Sequence, residues 1–196
     1  VQTCALPILN VFGTYSDITD GLQQWDGQPQ PGKHLLFVSE GGIGDEIINA
    51  RFVNRIVKQG MKVSILSNHV VSSIYDHLPF TNKINSKTYK KTDYDLWTPM
   101  MNLPHTLKLD FGDLWEGPYL QAKDEYIKKY ESTIQGRFKV GLRWAGNPRY
   151  DHELHRTINL KSVLNVVPEG NDWSLYSIQK AENYNDAKVF HDNEIG

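Results

Sequence analysis

Two short apolar runs, HLLFVSE (34–40) and MKVSILS (61–67), constrain this chain more than anything else in it. Each has the length of a strand, and the first lacks polar alternation, as strands buried on both faces of a parallel sheet do. Between them Ile48, Phe52 and Ile56 recur at i, i+4 and i+8, with Val53 and Val57 beside them. That spacing predicts one amphipathic helix, closed by Gly60 at its C′ position. Asn68 follows as an N-cap for a second, short helix over HVVSSIYDHL. Strand, helix, strand, helix in this order make a βαβ unit, so a parallel sheet with right-handed crossovers is expected.

The middle of the chain is less regular. YDLWTPM (94–100) predicts another strand ended by Pro99, whereas 102–120 resists a regular assignment. AKDEYIKKYESTIQG (122–136) predicts a helix with Tyr126 and Tyr130 on one face and Gly136 as its stop. FKVGLRWAG then opens a second series: the loop NPRYDHELHRT, a helix near LKSVLNVV and the strand WSLYSIQK. The fold class expected is α/β. Residues 34–136 form a first domain and 137–196 the truncated start of a second. Residues 9–33, rich in Gly, Gln, Asp and Pro, read as a lead-in or linker.

The first eight residues, VQTCALPI, have no basic n-region and are too short for a signal peptide. They look like the translation of a sequencing-adapter oligonucleotide and are set aside, and both ends read as those of a fragment. Cys4 lies within them and is the one cysteine of the chain. Disulfides, thiolate metal sites and a cysteine nucleophile are thereby excluded, and a reducing, cytoplasmic setting fits. A formal charge of −2 gives no electrostatic case for nucleic acid as a partner. No apolar run approaches the ~18 residues needed to span a membrane.

The turn GGIGD (41–45) joins the first strand to its helix, where phosphates are often cradled. A dinucleotide fingerprint would need glycine where Ile47 stands, and SILSNH lacks the acidic ribose ligand, which disfavours an NAD-dependent oxidoreductase. A P-loop is excluded because no G-K-[ST] follows. Asp45 already supplies the negative charge that a helix N-terminus favours. Two readings of it stay open: a helix cap, or a general base at the carboxyl edge of a parallel sheet.

The loop after WAG offers backbone donors with Arg149, Arg156 and Thr157, groups suited to a diphosphate, or else a solvated surface. Gln179 and Lys180 end the next strand at the same edge. His152 and His155 with Asp151 and Glu153 match no standard metal spacing, so no metal site is expected. His105 receives no role, and the tryptophans show no stacking pattern for single-stranded nucleic acid.

WDG (25–27), LLFVSEGGIGDEIINARFV (35–53), KVGLRWAGNPRYDHELHRTINL (139–160) and WSLYSIQK (173–180) occur in this order. Together they resemble the glycosyltransferase region of bacterial and phage tetratricopeptide-repeat proteins. That region is similar to the heptosyltransferases of glycosyltransferase family 9 and, more distantly, to O-linked N-acetylglucosamine transferases. The resemblance covers about residues 22–190. Glu40, Gly42, Gly44 and Asp45 match the family's E-Q-G-x-G-D, with Gly41 in place of glutamine. By resemblance Asp45 falls on the family's proposed catalytic base, and Glu40, Gly42 and Gly44 on the acceptor-site turn.

Trp144, Gly146, Asn147, Pro148, Arg156, Thr157, Ile158 and Leu160 match W-x-G-N-P … R-S-I-x-L. The intervening RYDHELH is more acidic than the family's basic stretch, which leaves Arg149 without support. The resemblance implies a GT-B fold and an inverting, metal-independent transfer from a nucleotide-sugar. The nucleotide-sugar-binding set would be Asn147, Arg156, Thr157, Gln179 and Lys180. The acceptor would be protein, lipid or polysaccharide, and the resemblance allows tetratricopeptide repeats ahead of residue 9 in a full-length parent. The family's later D-T-x-x-x-H-type segment is missing, so this stretch alone is not expected to be a competent enzyme. The alternative of another class is a non-catalytic α/β module that binds a sugar or nucleotide.

Overall fold

A computed structural model describes residues 15–67, 72–115, 117–146, 155–166 and 173–179. The chain divides into two units, Val1–Ala122 and Lys123–Gly196. The division falls before the helix at 124 rather than near residue 136.

In the first unit the strands are β1 (Gln23–Gln24), β2 (His34–Val38), β3 (Lys62–Leu66), β4 (Asn82–Ile84) and β5 (Leu96–Pro99). They form one five-stranded sheet in the order β1-β5-β2-β3-β4, and every pairing is parallel. The order β4-β3-β2-β5 is compatible with a Rossmann-like fold, with β1 added at one edge. At the centre, His34 to Val38 pair with Lys62 to Leu66 on one side, and Leu35 to Val38 with Leu96 to Pro99 on the other.

The period of two along β2 explains its unbroken apolar sequence. Leu35 and Phe37 join Val63, Ile65, Val53 and Ile56 on one face of the sheet. Leu36 and Val38 join Leu66, Ile18 and Tyr94 on the other. Both faces are covered from Leu35 to Val38, and the strand's one polar residue is the half-buried His34 at its start.

The lead-in is therefore not a linker from residue 15 onward. Helix α1 (Tyr15–Thr19) places Ile18 on the second face, and β1 delivers Trp25 to the first. Trp25 is 2% exposed, and burying about 150–250 Å² of aromatic surface at ~25 cal/mol/Å² contributes roughly 4–6 kcal/mol at most. Its indole N–H donates to the Gln28 carbonyl at 2.8 Å. The polar composition around these two anchors hid them.

The single helix expected from Ile48, Phe52 and Ile56 is instead a pair, α2 (Ile43–Ala50) and α3 (Val53–Lys58). At their junction the Phe52 N–H donates three residues back, to Asn49 at 3.2 Å. Ile48 is 53% exposed, while Glu46, Asn49, Ala50, Val53 and Ile56 point inward. Ile48 stands about 200° around the helix from Glu46, so with Glu46 and Ala50 inward it faces out. Gly60 does close α3, its N–H donating to the Val57 carbonyl at 2.9 Å.

β5 ends at Pro99 as the sequence predicts. Of the short helix expected over HVVSSIYDHL, residues 68–71 lie outside the described part, as does the Asn68 cap. Ser72–Tyr75 form a 3-10 turn. Strand β4 was not expected, because three mostly polar residues give no periodic signal. The irregular stretch 102–120 holds α4 (Leu103–Thr106) and a 3-10 turn at Phe111–Leu114, which Asp110 caps by accepting from Gly112 and Asp113.

The second unit holds α5 (Asp124–Glu131), β6 (Phe138–Leu142), α6 (Leu160–Leu164) and β7 (Trp173–Ser177). β6 and β7 pair in parallel, Phe138 opposite Trp173 through Leu142 opposite Ser177. Its core is small, with Trp144 and Leu160 at the centre and Leu142, Ala145, Val163 and Leu164 around them. The Tyr176 hydroxyl holds the end of the α5 segment by donating to the Gln135 carbonyl and accepting its N–H. Among the described residues no helix is long and apolar enough to cross a membrane.

Candidate functional site

The chain leaves β2 for β3 on one side, while β5 flanks β2 on the other. The carboxyl ends of β2 and β5 therefore form the switch point at which open α/β sheets take ligands. Ser39 and Glu40 continue β2 into it and are both buried. Glu40 joins the two strand ends, its Oε2 accepting the Met101 N–H at 3.2 Å just beyond β5. Its carboxylate is thus turned inward, and the exposed part of the turn is Gly42 to Gly44.

Gly41 makes the bend with φ +69°, a region L residues rarely adopt. A Cβ there would also lie 2.5 Å from Asp45 Oδ2. Gly42 is extended and serves as N-cap of α2. Lacking a side chain, it cannot cap the helix itself, and Asp45 reaches back instead. The Gly42 N–H donates to Asp45 Oδ2 at 2.7 Å. The capping reading of Asp45 is therefore realised in its geometry. Its other oxygen, Oδ1, accepts no hydrogen bond from the described residues, and Asp45 is half-buried at the mouth of the turn. A Cβ at Gly44 would meet nothing within 4 Å, so the turn is uncrowded at that position.

Glu46, which the sequence reading passed over, is fully buried one residue further on. Its Oε2 accepts from the Ser39 hydroxyl and from the Ser67 hydroxyl at 2.5 Å, and its Oε1 from the Tyr75 hydroxyl at 2.8 Å. Burial, and then the Glu46 charge, push the Tyr75 hydroxyl far above its usual range. Tyr75 is held as a donor. The signal was present in the sequence: Glu46 shares the inward helical face with Ala50 and Val53, where a carboxylate needs partners.

In the second unit, Asn147 and Lys180 lie outside the described residues, as do Arg149, His152 and Glu153. Arg156 and Thr157 are exposed just ahead of α6. The Ile158 N–H donates to the Trp144 carbonyl at 2.9 Å, which sets that segment beside the exit of β6. Gln179 Oε1 accepts the N–H groups of Trp144 at 3.3 Å and Ala145 at 3.0 Å, so this side chain fastens the exit of β6 to that of β7. Asn159 caps α6, accepting from Lys161 at 2.9 Å. Among the described residues no group of three His, Cys, Asp or Glu is placed to hold a metal ion.

The fold and these sites define an α/β protein with a glycine turn at a parallel-sheet switch point. No family model, curated protein or solved structure matches the chain.

Proposed function

We propose that the chain belongs to an inverting, metal-independent glycosyltransferase of GT-B type, the first unit taking the acceptor and the second beginning the nucleotide-sugar site. Asp45 accepts the proton of an acceptor hydroxyl, and the oxygen attacks the anomeric carbon as the C–O bond to the diphosphate breaks. Arg156 and Thr157, with Asn147 and Lys180, contact the leaving diphosphate, and Gln179 shapes the loop that receives it. A cytoplasmic setting, where nucleotide-sugars are available, belongs to the same reading. The observation that carries it is the Asp45 carboxylate at the mouth of the β2 turn, with Oδ1 uncommitted among the described residues and open space at Gly44.

One observation favours the rival, a non-catalytic binding module: Asp45 already has a structural task as the cap of α2. Asp45→Asn separates the two, because asparagine can still accept from Gly42 but cannot take a proton. The protein is assayed with UDP-, ADP- and GDP-sugars for binding and for transfer. Transfer by the wild type that disappears in Asp45→Asn, with donor binding kept, supports the base. Binding without transfer in the wild type supports the module, and near-normal turnover in Asp45→Asn removes the base role.

A further inference from the structure

Glu46 is a carboxylate with 0% exposure, and none of the ion pairs among the described residues includes it. A buried acid of this kind is costly unless hydrogen bonds replace its hydration. Here three hydroxyls do so, and each comes from a different element. Ser39 extends β2, Ser67 extends β3, and Tyr75 closes the 3-10 turn Ser72–Tyr75. Glu46 itself belongs to the first turn of α2, its N–H donating to the Gly42 carbonyl at 3.2 Å. The carboxylate thus gathers two strand ends and a 3-10 turn onto the helix turn that carries Asp45.

We propose that Glu46 is the positioning residue of this turn: by taking the Ser39, Ser67 and Tyr75 hydroxyls it fixes the first turn of α2, and with it Asp45 beside Gly42. Its catalytic meaning rests on the Asp45 reading, but the placement does not. Hydrogen bonding, rather than charge, is the agent. Glutamine can therefore stand in, its oxygen accepting and its amide donating to hydroxyls that rotate to receive it. Alanine cannot, because the buried Ser39 and Tyr75 hydroxyls and the half-buried Ser67 hydroxyl then lose this carboxylate as acceptor.

The test is amide hydrogen exchange in the full chain, read at Gly42, whose N–H is held by Asp45, and at Trp25, whose N–H is held by the Trp97 carbonyl across β1 and β5. Glu46→Ala is expected to speed exchange at Gly42 about tenfold while Trp25 changes less than about twofold, a local opening. Glu46→Gln is expected to return Gly42 to within about threefold of wild type. Unchanged exchange at Gly42, equal acceleration at both amides, or a glutamine variant indistinguishable from alanine would each overturn the proposal. If Glu46→Ala does not fold, Tyr75→Phe removes one donor and keeps the ring. It should speed Gly42 severalfold, and no change there overturns the proposal as well. Absence of sugar transfer by the wild type would remove the Asp45 reading and leave the exchange result standing; unchanged Gly42 exchange would do the reverse.

Discussion

Alanine at Gly27 tests whether the WDG segment belongs to the folded first unit. Gly27 has φ +89°, and a Cβ there would lie 2.1 Å from the Thr106 carbonyl oxygen, 3.0 Å from its carbon and 3.3 Å from Thr106 Cγ2. Gly32 is the matched control, with φ +85° and nothing within 4 Å of its Cβ. The left-handed backbone alone costs an L residue about 1–2 kcal/mol, partly offset by the stiffer unfolded chain. Gly32→Ala should therefore destabilise by about 1 kcal/mol. Gly27→Ala adds a backbone overlap that no rotamer relieves, about 1–3 kcal/mol more, for a total of roughly 2–4. At about 4 °C per kcal/mol the thermal midpoints should fall by roughly 4 °C and roughly 8–16 °C. Circular dichroism melts and urea titrations followed by tryptophan emission measure both. Equal shifts in the two variants would refute the contact with Thr106 and the folded placement of this segment.

Other predictions concern the sites themselves. Asp45→Ala should cost roughly 1 kcal/mol in urea titrations through loss of the α2 cap, while Asp45→Asn stays near wild type; equal stabilities would deny the cap. Gln179→Ala should destabilise the second unit by about 1–3 kcal/mol, because the Trp144 and Ala145 N–H groups lose their acceptor. Gln179→Glu keeps an acceptor oxygen and should lose far less, measured by urea denaturation.

His34 gives a pH signature. Burial holds its imidazole below the ordinary 6.5, so the unfolded chain binds the proton first and stability falls as pH drops through 6.5 toward the folded value. Above 6.5 both states are neutral and the dependence vanishes. His34→Gln should flatten the denaturation midpoint across that window, and an unchanged slope would sink the assignment. Asp95 acts in a lower window. The His34 N–H, then Lys33, hold its carboxyl below the ordinary 3.8, so its contribution is present above that value and lost below it.

The parallel sheet was legible because Leu35–Val38 of β2 are buried on both faces and unbroken in apolarity, and β3 repeats a run of the same length with only Ser64 interrupting its buried part. Pro99 and Gly60 marked their element ends for equally local reasons. β1, β4 and α1 were not legible, since their few residues are held by partners distant in sequence rather than by any period of their own. The site was half legible. The turn and Asp45 stand out as glycine and acid at a strand end. Glu46 is not legible from the apolar spacing, because placing Ile48 inward rotates the helix and turns the Glu46 carboxylate outward. Gln179 was found as a residue, but its amide oxygen is engaged by backbone groups of β6's exit, a pairing that spacing along the chain does not reveal.

The place of β1 in the sheet has a kinetic consequence. β2, β3 and β4 follow one another and can assemble through short crossovers, but Gln23 pairs with Leu96 and Gln24 with Trp97. β1, the first strand among the described residues, must therefore wait for a partner more than seventy positions later, and closing so long a loop is slow relative to local pairing. Assembly of this sheet should run outward from β2 and finish at its earliest-made strand, with Trp25 entering the core last.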